Sequence, residues 1–179
     1  MATPTTLPAS FSAGAVLTAA QMNNLRGAFR VLQVVSAIKT DTFTTTSTSF
    51  VDVTGLTISI TPSSTSSLVL VFGTLSGSND AGAAYGAGAI YRGTTPIFAG
   101  AAASNRTRGI QFDVAGAVQM LNVSGSVLDN PASTSALTYS WRVMNNSAGT
   151  FYVNRSETDT DTANYPRGAS SITAMEISA

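Results

Sequence analysis

The sequence predicts a mainly β protein, an antiparallel β-sandwich of jelly-roll type that is preceded by an extended arm and one short N-terminal helix. Composition is the first reason, because 48 of the 179 residues are Ser or Thr and only 10% are charged, against a usual ~25%. The second reason is the period-two alternation of apolar residues from Val31 onward. The third is that turn residues recur about every 8 to 15 residues, as they do in sandwiches.

Composition also excludes several classes of function. The chain has neither cysteine nor histidine, which excludes disulfide frameworks, zinc fingers, thiol nucleophiles and Ser-His-Asp triads. Nine basic residues balance nine acidic ones, so the chain offers no positive field for a nucleic acid. No apolar run is long enough to span a bilayer. We therefore expect no cofactor, no nucleic-acid partner and no membrane insertion.

Residues 1–30 are predicted to form a unit separate from the body, 31–179. The first fifteen residues hold two prolines and a glycine among small side chains, which predicts an extended arm. Thr18 then precedes Gln21 at the spacing of a capping box, which predicts the start of a helix.

The predicted helix carries one apolar stripe. Leu17 and Met22 fit a hydrophobic staple around its first turn, and Leu25 and Phe29 continue the stripe at helical spacing. At about 12 residues such a helix is marginal alone and has to dock on another surface. That surface is its own domain, a sister subunit or another protein. These four residues are therefore candidate contacts for anchoring or oligomerisation.

The body begins with continuous and alternating apolar segments. The runs 31–35 and 68–72 predict buried strands, whereas 43–50 is compatible with a strand but too polar for a central one. Between them the apolar alternation changes phase across Thr54-Gly55, where a bulge or turn would bring both sets of side chains to the core face. The alternating residues are Val51, Val53, Leu56, Ile58 and Ile60.

The rest of the body repeats this pattern of short strands and turns. Further strand candidates lie at 85–91, 97–101, 110–114, 118–127, 139–143, 151–153 and 171–177. Turns between them are marked by Gly, Asn, Asp and Pro. The pattern amounts to about nine to eleven strands in one domain, without a second helix that could make parallel crossovers.

One loop carries alternating carboxylates, Glu157, Asp159 and Asp161. Oxygen ligands suit Ca²⁺, but the loop lacks the glycine and distal glutamate of an EF-hand, so the alternative is a solvated loop without a cation. Other acids, Asp113 among them, stand alone between strand residues, whereas glycosidic chemistry needs two acids facing one cleft. We expect no catalytic residue and no enzymatic activity.

Tyrosines offer a possible surface for sugars. Tyr85, Tyr91, Tyr152 and Tyr165 combine an apolar ring with a polar tip, which suits stacking on a glycan. The alternative is that these rings pack in the core and between the sheets. The four are candidate glycan contacts.

Three segments resemble those of a known family. Residues 11–23 (FSAGAVLTAAQMN) resemble the N-terminal virion-attachment segments of bacteriophage fibre-like structural proteins, those of cyanophages among them. Residues 32–43 (LQVVSAIKTDTF) resemble the opening strand of the β-sandwich in these proteins, and residues 170–177 (SSITAMEI) resemble its closing strand. The last two segments lie at the start and the end of the body, and the resemblance is weaker in the part of the chain between them.

The resemblance implies a phage virion structural protein, with the arm 1–30 held by the particle and a trimeric sandwich displayed outward. The first hypothesis is a short tail or head fibre, or its tip, that attaches to host-surface glycan. The second is a capsid decoration (cement) protein that stabilises the head, and the third is a free carbohydrate-binding or hydrolytic module. Implied partners are sister subunits in a homotrimer and other virion proteins of the tail, the portal-proximal region or the capsid. The implied location is the virion, after synthesis in the bacterial host cytoplasm.

Overall fold

A computed structural model of the chain confirms the mainly β class. It describes residues 14, 16, 18, 19, 22, 31–80, 85–113, 117–145 and 149–178. The strands in this part of the chain are β1 (Val31–Lys39), β2 (Phe43–Thr45), β3 (Val51–Ile60), β4 (Leu68–Asn79), β5 (Gly86–Arg92), β6 (Thr95–Phe98), β7 (Ile110–Phe112), β8 (Leu121–Asp129), β9 (Leu137–Asn145), β10 (Phe151–Val153) and β11 (Ser170–Ile177). Their number lies within the range that the sequence predicts.

Six strands form the first sheet, in which β4 is central. Along one edge of β4, β11 pairs with the first half of the strand and β10 pairs with its end, while β8 pairs along the other edge. β1 continues the sheet beyond β11, and β2 continues it beyond β10. All of these pairings are antiparallel.

Five strands form the second sheet, in the order β3-β9-β5-β6, with β7 also paired to β5. These pairings are antiparallel as well. Neither sheet contains a parallel pair among the described strands, which agrees with the expectation that the chain lacks helical crossovers.

The two sheets pack face to face around one hydrophobic core. Trp141 of β9 is its largest side chain and is fully buried. The indole Nε1–H crosses the core and donates a hydrogen bond to the Ser171 carbonyl oxygen of β11 at 3.1 Å. This approach requires glycine at position 73, because a Cβ there would collide with both groups. Other core members are Val53, Leu56, Ile58, Ile60, Val69, Val71, Leu75, Ile90, Phe112, Tyr139, Val143, Phe151, Val153, Ile172 and Ala174.

The bulge predicted in β3 is confirmed. Gly55 has a φ of +88°, a conformation that favours glycine, and the register of β3 on β9 shifts across it. As a result Val53 and Leu56, on either side of the shift, both reach the core and are fully buried. Ile58 and Ile60 continue on the same face at 6% and 1% exposure.

The prediction that 31–35 is a buried strand is wrong. β1 lies at the edge of the first sheet, and Val31, Leu32 and Val34 are 47%, 42% and 52% exposed. The run 68–72 shows the same one-sided burial in milder form, because only its alternate residues are fully buried. A continuous apolar run indicates a strand with two apolar faces but does not say what covers the outward one.

Little of the predicted N-terminal helix falls within the described residues. The backbone N–H of Met22 donates to the carbonyl oxygen of Thr18 at 3.0 Å, which is the spacing of one α-helical hydrogen bond. The Met22 side chain is 47% exposed. Leu17, Leu25 and Phe29 lie outside the described residues, so the helix and its anchoring stripe stay predictions.

A buried carboxylate connects β11 to the turn between β3 and β4. Glu176 is 1% exposed and accepts hydrogen bonds from Ser63, through its N–H at 2.7 Å and its Oγ at 2.6 Å. Gln33 of β1 donates to the same carboxylate at 2.6 Å. Burial raises the pKa of Glu176, but the hydrogen bonds from Ser63, Gln33 and Ser67 outweigh burial and lower it from 4.5 to about 2.

Replacing the Glu176 carboxylate by an amide is predicted to make the free energy of unfolding depend less on pH under acidic conditions. The folded pKa of Glu176 lies below its unfolded value, so its contribution is complete above the unfolded pKa of 4.5 and disappears as the pH falls towards the folded value of about 2. Glu176→Gln should lower the free energy of unfolding at pH 7 by at most about 3 kcal/mol. The difference from wild type should shrink towards pH 2.

Urea unfolding at a series of pH values measures this difference. Glu157→Gln, the same substitution at the other glutamate of the chain, is the matched control, and the change in pH dependence for Glu176→Gln should exceed any change that it shows. A constant difference between Glu176→Gln and wild type from pH 7 to pH 2 would contradict the assignment.

Candidate interaction surfaces

The two ends of the packed sheets carry connections of different length. At one end, the short-loop end, the strands are joined by the connections 61–67, 93–94 and 130–136. β1 begins and β11 finishes at this end, because Val31 pairs with Ile177. The N-terminal segment therefore joins the body at the short-loop end.

One carboxylate holds the two sheets together at the short-loop end. Arg92, the last residue of β5, donates to both carboxylate oxygens of Asp129, the last residue of β8, at 2.8 and 2.7 Å. The Tyr139 hydroxyl donates to the same carboxylate at 2.7 Å. Burial raises the pKa of Tyr139, and the hydrogen bond to Asp129 raises it further. The phenol therefore stays protonated and continues to donate at neutral pH.

The opposite end, the long-loop end, carries the three longest connections of the body, 99–109, 113–120 and 154–169, together with shorter ones such as 80–85. Residues 101–108 are exposed throughout. Binding residues concentrate on loops that a rigid scaffold positions, so this end is the first candidate for a binding surface.

Asn154 fastens the longest of these loops to the first sheet. It is fully buried and has a φ of +61°. Its Nδ2 donates to the carbonyl oxygens of Lys39 and Asp41 at 2.9 Å each, and its Oδ1 accepts from Ser170 Oγ at 2.6 Å. Its backbone N–H donates to the Ser76 carbonyl oxygen at 3.0 Å. One residue, through its side chain and its backbone N–H, thus ties the start of the loop to β1, β4 and β11.

Tyr152 of β10 supports a second loop. Its hydroxyl donates to Asp80 Oδ1 at 2.7 Å, and the N–H of Thr150 donates to Asp80 Oδ2 at the same distance. Burial raises the pKa of Tyr152, and the hydrogen bond to Asp80 adds to this. The Arg155 guanidinium lies 4.6 Å from the ring centroid. Tyr152 thus fixes the base of the 80–85 connection, and Arg155 occupies one face of its ring.

Tyr91 lies within a packed cluster on the outer side of the second sheet. Its ring is 5.6 Å from that of Phe50, and the Arg142 guanidinium lies 4.6 Å from the Tyr91 centroid. Arg142 Nε also donates to Asp52 Oδ1 at 2.8 Å. Burial raises the pKa of Tyr91, and the positive charge of Arg142 partly offsets this. The alternative reading of this tyrosine, as a packing residue, accounts for these contacts.

The acidic loop is held by arginines. Asp159 accepts from Arg167 at 2.6 Å and lies 3.7 Å from Arg155. Over the described residues, acidic side chains do not gather into a group of three that could hold a metal ion. Tyr165, in the same loop, is half-buried, and its N–H donates to the Thr162 carbonyl oxygen at 3.2 Å.

Tyr85 lines a cleft of about 320 Å³ at the long-loop end. The side chain is 50% exposed, and Arg106, Thr107 and Gln111 add hydrogen-bonding groups to the same cleft. The remaining lining residues are glycines and an alanine, which leave backbone accessible. An aromatic ring beside convergent polar groups suits a sugar or another small polar ligand.

The structure does not bring the four candidate tyrosines together. Tyr85 and Tyr91 lie just before and within β5 of the second sheet, Tyr152 lies in β10 of the first sheet, and Tyr165 lies in a loop. Sequence patterns do not predict Arg106, Thr107 and Gln111 as neighbours of Tyr85. Pairing of β5 with β7 brings them beside Tyr85, and local sequence patterns do not report such long-range pairing.

The outer face of the first sheet is apolar and uncharged. Outward residues align in rows across four strands, one of which is Val34-Met175-Leu70-Leu128. Among the apolar residues of this face, Val34, Leu128 and Ile38 are 52%, 55% and 71% exposed. The outer face comprises Val31, Val34, Ser36 and Ile38 of β1, Ser171, Thr173, Met175 and Ile177 of β11, Leu68, Leu70, Phe72 and Thr74 of β4, and Ser124, Ser126 and Leu128 of β8.

Comparison with known proteins gives distant structural likenesses. The chain is similar to a structure of the Gt strain of infectious bursal disease virus (TM-score 0.37, 13% identity, 83% of this chain and 42% of that one). It is also similar to T=1 particles derived from infectious bursal virus (0.36, 13%, 81% and 37%) and to the VP2 subviral particle of infectious bursal disease virus (0.33, 15%, 82% and 38%). The chain spans about two fifths of the length of each of these proteins, and at such TM-scores the likeness carries no argument about function.

No protein-family model and no curated protein matches the sequence. Among the described residues, none of the helical segments is long and apolar enough to cross a membrane.

Removal of the Asn154 side chain is predicted to loosen the long-loop end. Asn154→Ala removes the side-chain partner of the Ser170 hydroxyl and of the Lys39 and Asp41 carbonyl groups. It also places alanine at a positive φ, so we expect a loss of about 2 to 4 kcal/mol in unfolding free energy. Asn105→Ala in the exposed 99–109 connection is the matched control and should change it by less than about 0.5 kcal/mol. Urea unfolding measures both variants, and equal midpoints would contradict the role of Asn154.

Proposed function

We propose that this chain is a non-enzymatic structural protein of a bacteriophage virion, a homotrimeric short tail or head fibre, or its tip, whose long-loop end meets the host surface. The observation that carries the proposal is the separation of the two ends. The N-terminal segment that resembles virion-attachment arms joins the body at the short-loop end, and the long connections lie at the other. Such a chain would be made in the bacterial host cytoplasm and would reside in the virion.

Strand order supports the jelly-roll assignment within this proposal. Apart from the three-residue strands β2, β7 and β10, the strand order is β1-β11-β4-β8 in the first sheet and β3-β9-β5-β6 in the second. Passing from β3 to β4, from β4 to β5 and from β8 to β9, the chain changes sheet each time. Two four-stranded sheets joined in this way are typical of a jelly roll, an architecture common in viral capsid domains.

Host-surface glycan is the proposed ligand of the long-loop end. The cleft at Tyr85 offers a half-exposed ring next to Arg106 and Gln111, which is suitable chemistry for a sugar with several hydroxyl groups. One small cleft binds weakly, but three copies in a trimer raise the overall affinity through effective concentration.

The second candidate function is capsid decoration. It is favoured by the outer face of the first sheet, because a broad uncharged apolar face can lie flat on a neighbouring protein. A cement protein should raise the temperature at which the head releases DNA, whereas a fibre should project from one end and block host adsorption when it is bound by antibody. A cryo-EM map of the particle distinguishes the two.

Deleting residues 1–29 is predicted to abolish incorporation without unfolding the body. The core is built from residues of β3 and later strands, so the truncated chain should give a cooperative melt by circular dichroism. Its copy number in purified virions, measured by quantitative mass spectrometry, should fall at least tenfold. Met22→Asp with Phe29→Asp should give the same result with less disturbance. Normal incorporation of the truncated chain would place anchoring in the body and favour the decoration function.

Removal of the Tyr85 ring is predicted to weaken glycan binding. Tyr85→Ala should reduce binding of the full-length protein to purified host envelope polysaccharide about tenfold, which corresponds to ~1.4 kcal/mol. Tyr165→Ala is the matched control and should bind as wild type does. Surface plasmon resonance measures the affinity, and size analysis of the polysaccharide should detect no released oligosaccharide. Equal binding by both variants, or cleavage of the polymer, would count against this ligand or against the non-enzymatic role.

A further inference from the structure

Exposed apolar side chains of the body concentrate on one sheet. Val34 and Ile38 of β1 and Leu128 of β8 all lie on the outer face of the first sheet. Within the described residues, the strands of the second sheet carry no exposed large hydrophobic side chain. The outer side of that sheet instead carries the ion pair of Asp52 with Arg142. The two sheets therefore present different chemistry to their surroundings.

The outer face of the first sheet has relief as well as apolar character. Ile38 at one edge is 71% exposed and, with Val34, forms a ridge along β1. Near the other edge, β4 and β8 form a shallow groove of about 560 Å³. The outer-face residues that line this groove are Leu70, Phe72, Thr74, Ser124, Ser126 and Ser171. The outer face of the first sheet thus carries both a ridge and a groove, and the side chains of both are uncharged.

We infer that further copies of this chain cover this face, the β1 ridge of one copy lying in the β4–β8 groove of the next. Of the fifteen outer-face residues none is charged, so a charged partner gains no ion pair there. The chain as a whole has nine basic and nine acidic residues, so copies do not repel one another. Ridge and groove are different patches, which makes the contact heterologous, and a heterologous contact whose rotation closes forms a ring.

The size of the face is sufficient for such a contact. Four strands about 4.8 Å apart and seven paired residues at ~3.3 Å each give a projected area of roughly 440 Å². Each copy would use the face towards one neighbour through its ridge and towards the other through its groove. A subunit of a closed ring makes two such contacts, which together bury about 880 Å² of projected surface counted over both partners. Side-chain relief raises this to the order of 1,000 Å² of total buried surface that a specific interface needs.

The N-terminal segment is the competing occupant of the face. Of its described residues, Val16 is 90% exposed and Met22 is 47% exposed, so neither is buried against the sheet. A second copy is therefore the occupant that the described contacts favour.

The symmetry axis of the proposed trimer can be oriented relative to the strands. If the axis runs parallel to the strands, all arms leave at the short-loop end of the ring and all long loops lie at the other. This step rests on the proposed function, in which a trimer is held at one end and displays the other. Rotation about such an axis leaves height unchanged, so Ile38 of one copy meets the row of the next copy that contains Ser124.

Light scattering on the purified full-length chain tests the contact. Wild type should have the mass of three copies, and Val34→Glu with Ile38→Glu should have the mass of one copy while keeping its circular dichroism spectrum. Thr57→Glu with Ser59→Glu, on exposed positions of the second sheet, is the matched control and should stay trimeric. A monomeric wild type, or a trimeric ridge variant, would overturn the inference.

Crosslinking gives a second readout that does not depend on a charged variant folding. The chain contains no cysteine, so Ile38→Cys with Ser124→Cys introduces the only two thiols. Within one chain these positions are three strand spacings apart, about 14 Å, which is too far for a disulfide. Oxidation should therefore give covalent dimers and trimers, and Ile38→Cys with Ser59→Cys should give none.

Crosslinking by Ile38→Cys alone would indicate an isologous face-to-face contact and would overturn the ridge-in-groove arrangement. Absence of any crosslink from the double variant would do the same, and would favour the arm or another protein as the occupant. Both experiments use protein in solution, so their failure leaves the virion role to be judged separately by incorporation into particles.

Discussion

The structure depends on the close approach of the two sheets around Trp141. Its indole reaches across the core to the Ser171 carbonyl oxygen only because position 73 has no side chain. This contact fixes the relative position of β9, β11 and β4, the strands to which most others pair. Once these three are placed, the period-two alternation of each strand decides which side chains enter the core and which form an outer face.

Outside the hydrophobic core, buried polar groups fix the backbone at the two ends of the sheets. Glu176 at the short-loop end and Asn154 at the long-loop end are both buried, and each binds groups from several segments. A buried polar group costs free energy unless it is satisfied, so each fixes the geometry of the backbone around it. The long connections therefore start from defined positions even though their outer parts are exposed.

Local patterns in the sequence predict the strands and one irregularity, the bulge at Gly55, because each of these depends on neighbours in the chain. They do not predict that β1 lies at an edge, since Val31 and Val34 look equally apolar whether solvent or another surface covers them. Nor do they place Tyr85 beside Arg106, which requires the pairing of β5 with β7. Local patterns do not predict the contacts of Asn154 either, because its partners are distributed over three strands.

The pairing of Val31 with Ile177 puts both ends of the body side by side, and this makes the fold a directional carrier for peptide display. A foreign peptide fused after residue 179 would start near the base, because β11 ends next to the beginning of β1. The same peptide inserted among the exposed residues 101–108 would emerge at the far end, because surface loops accept insertions with little cost to the scaffold. One scaffold thus offers two attachment positions about one strand length apart, roughly 30 Å.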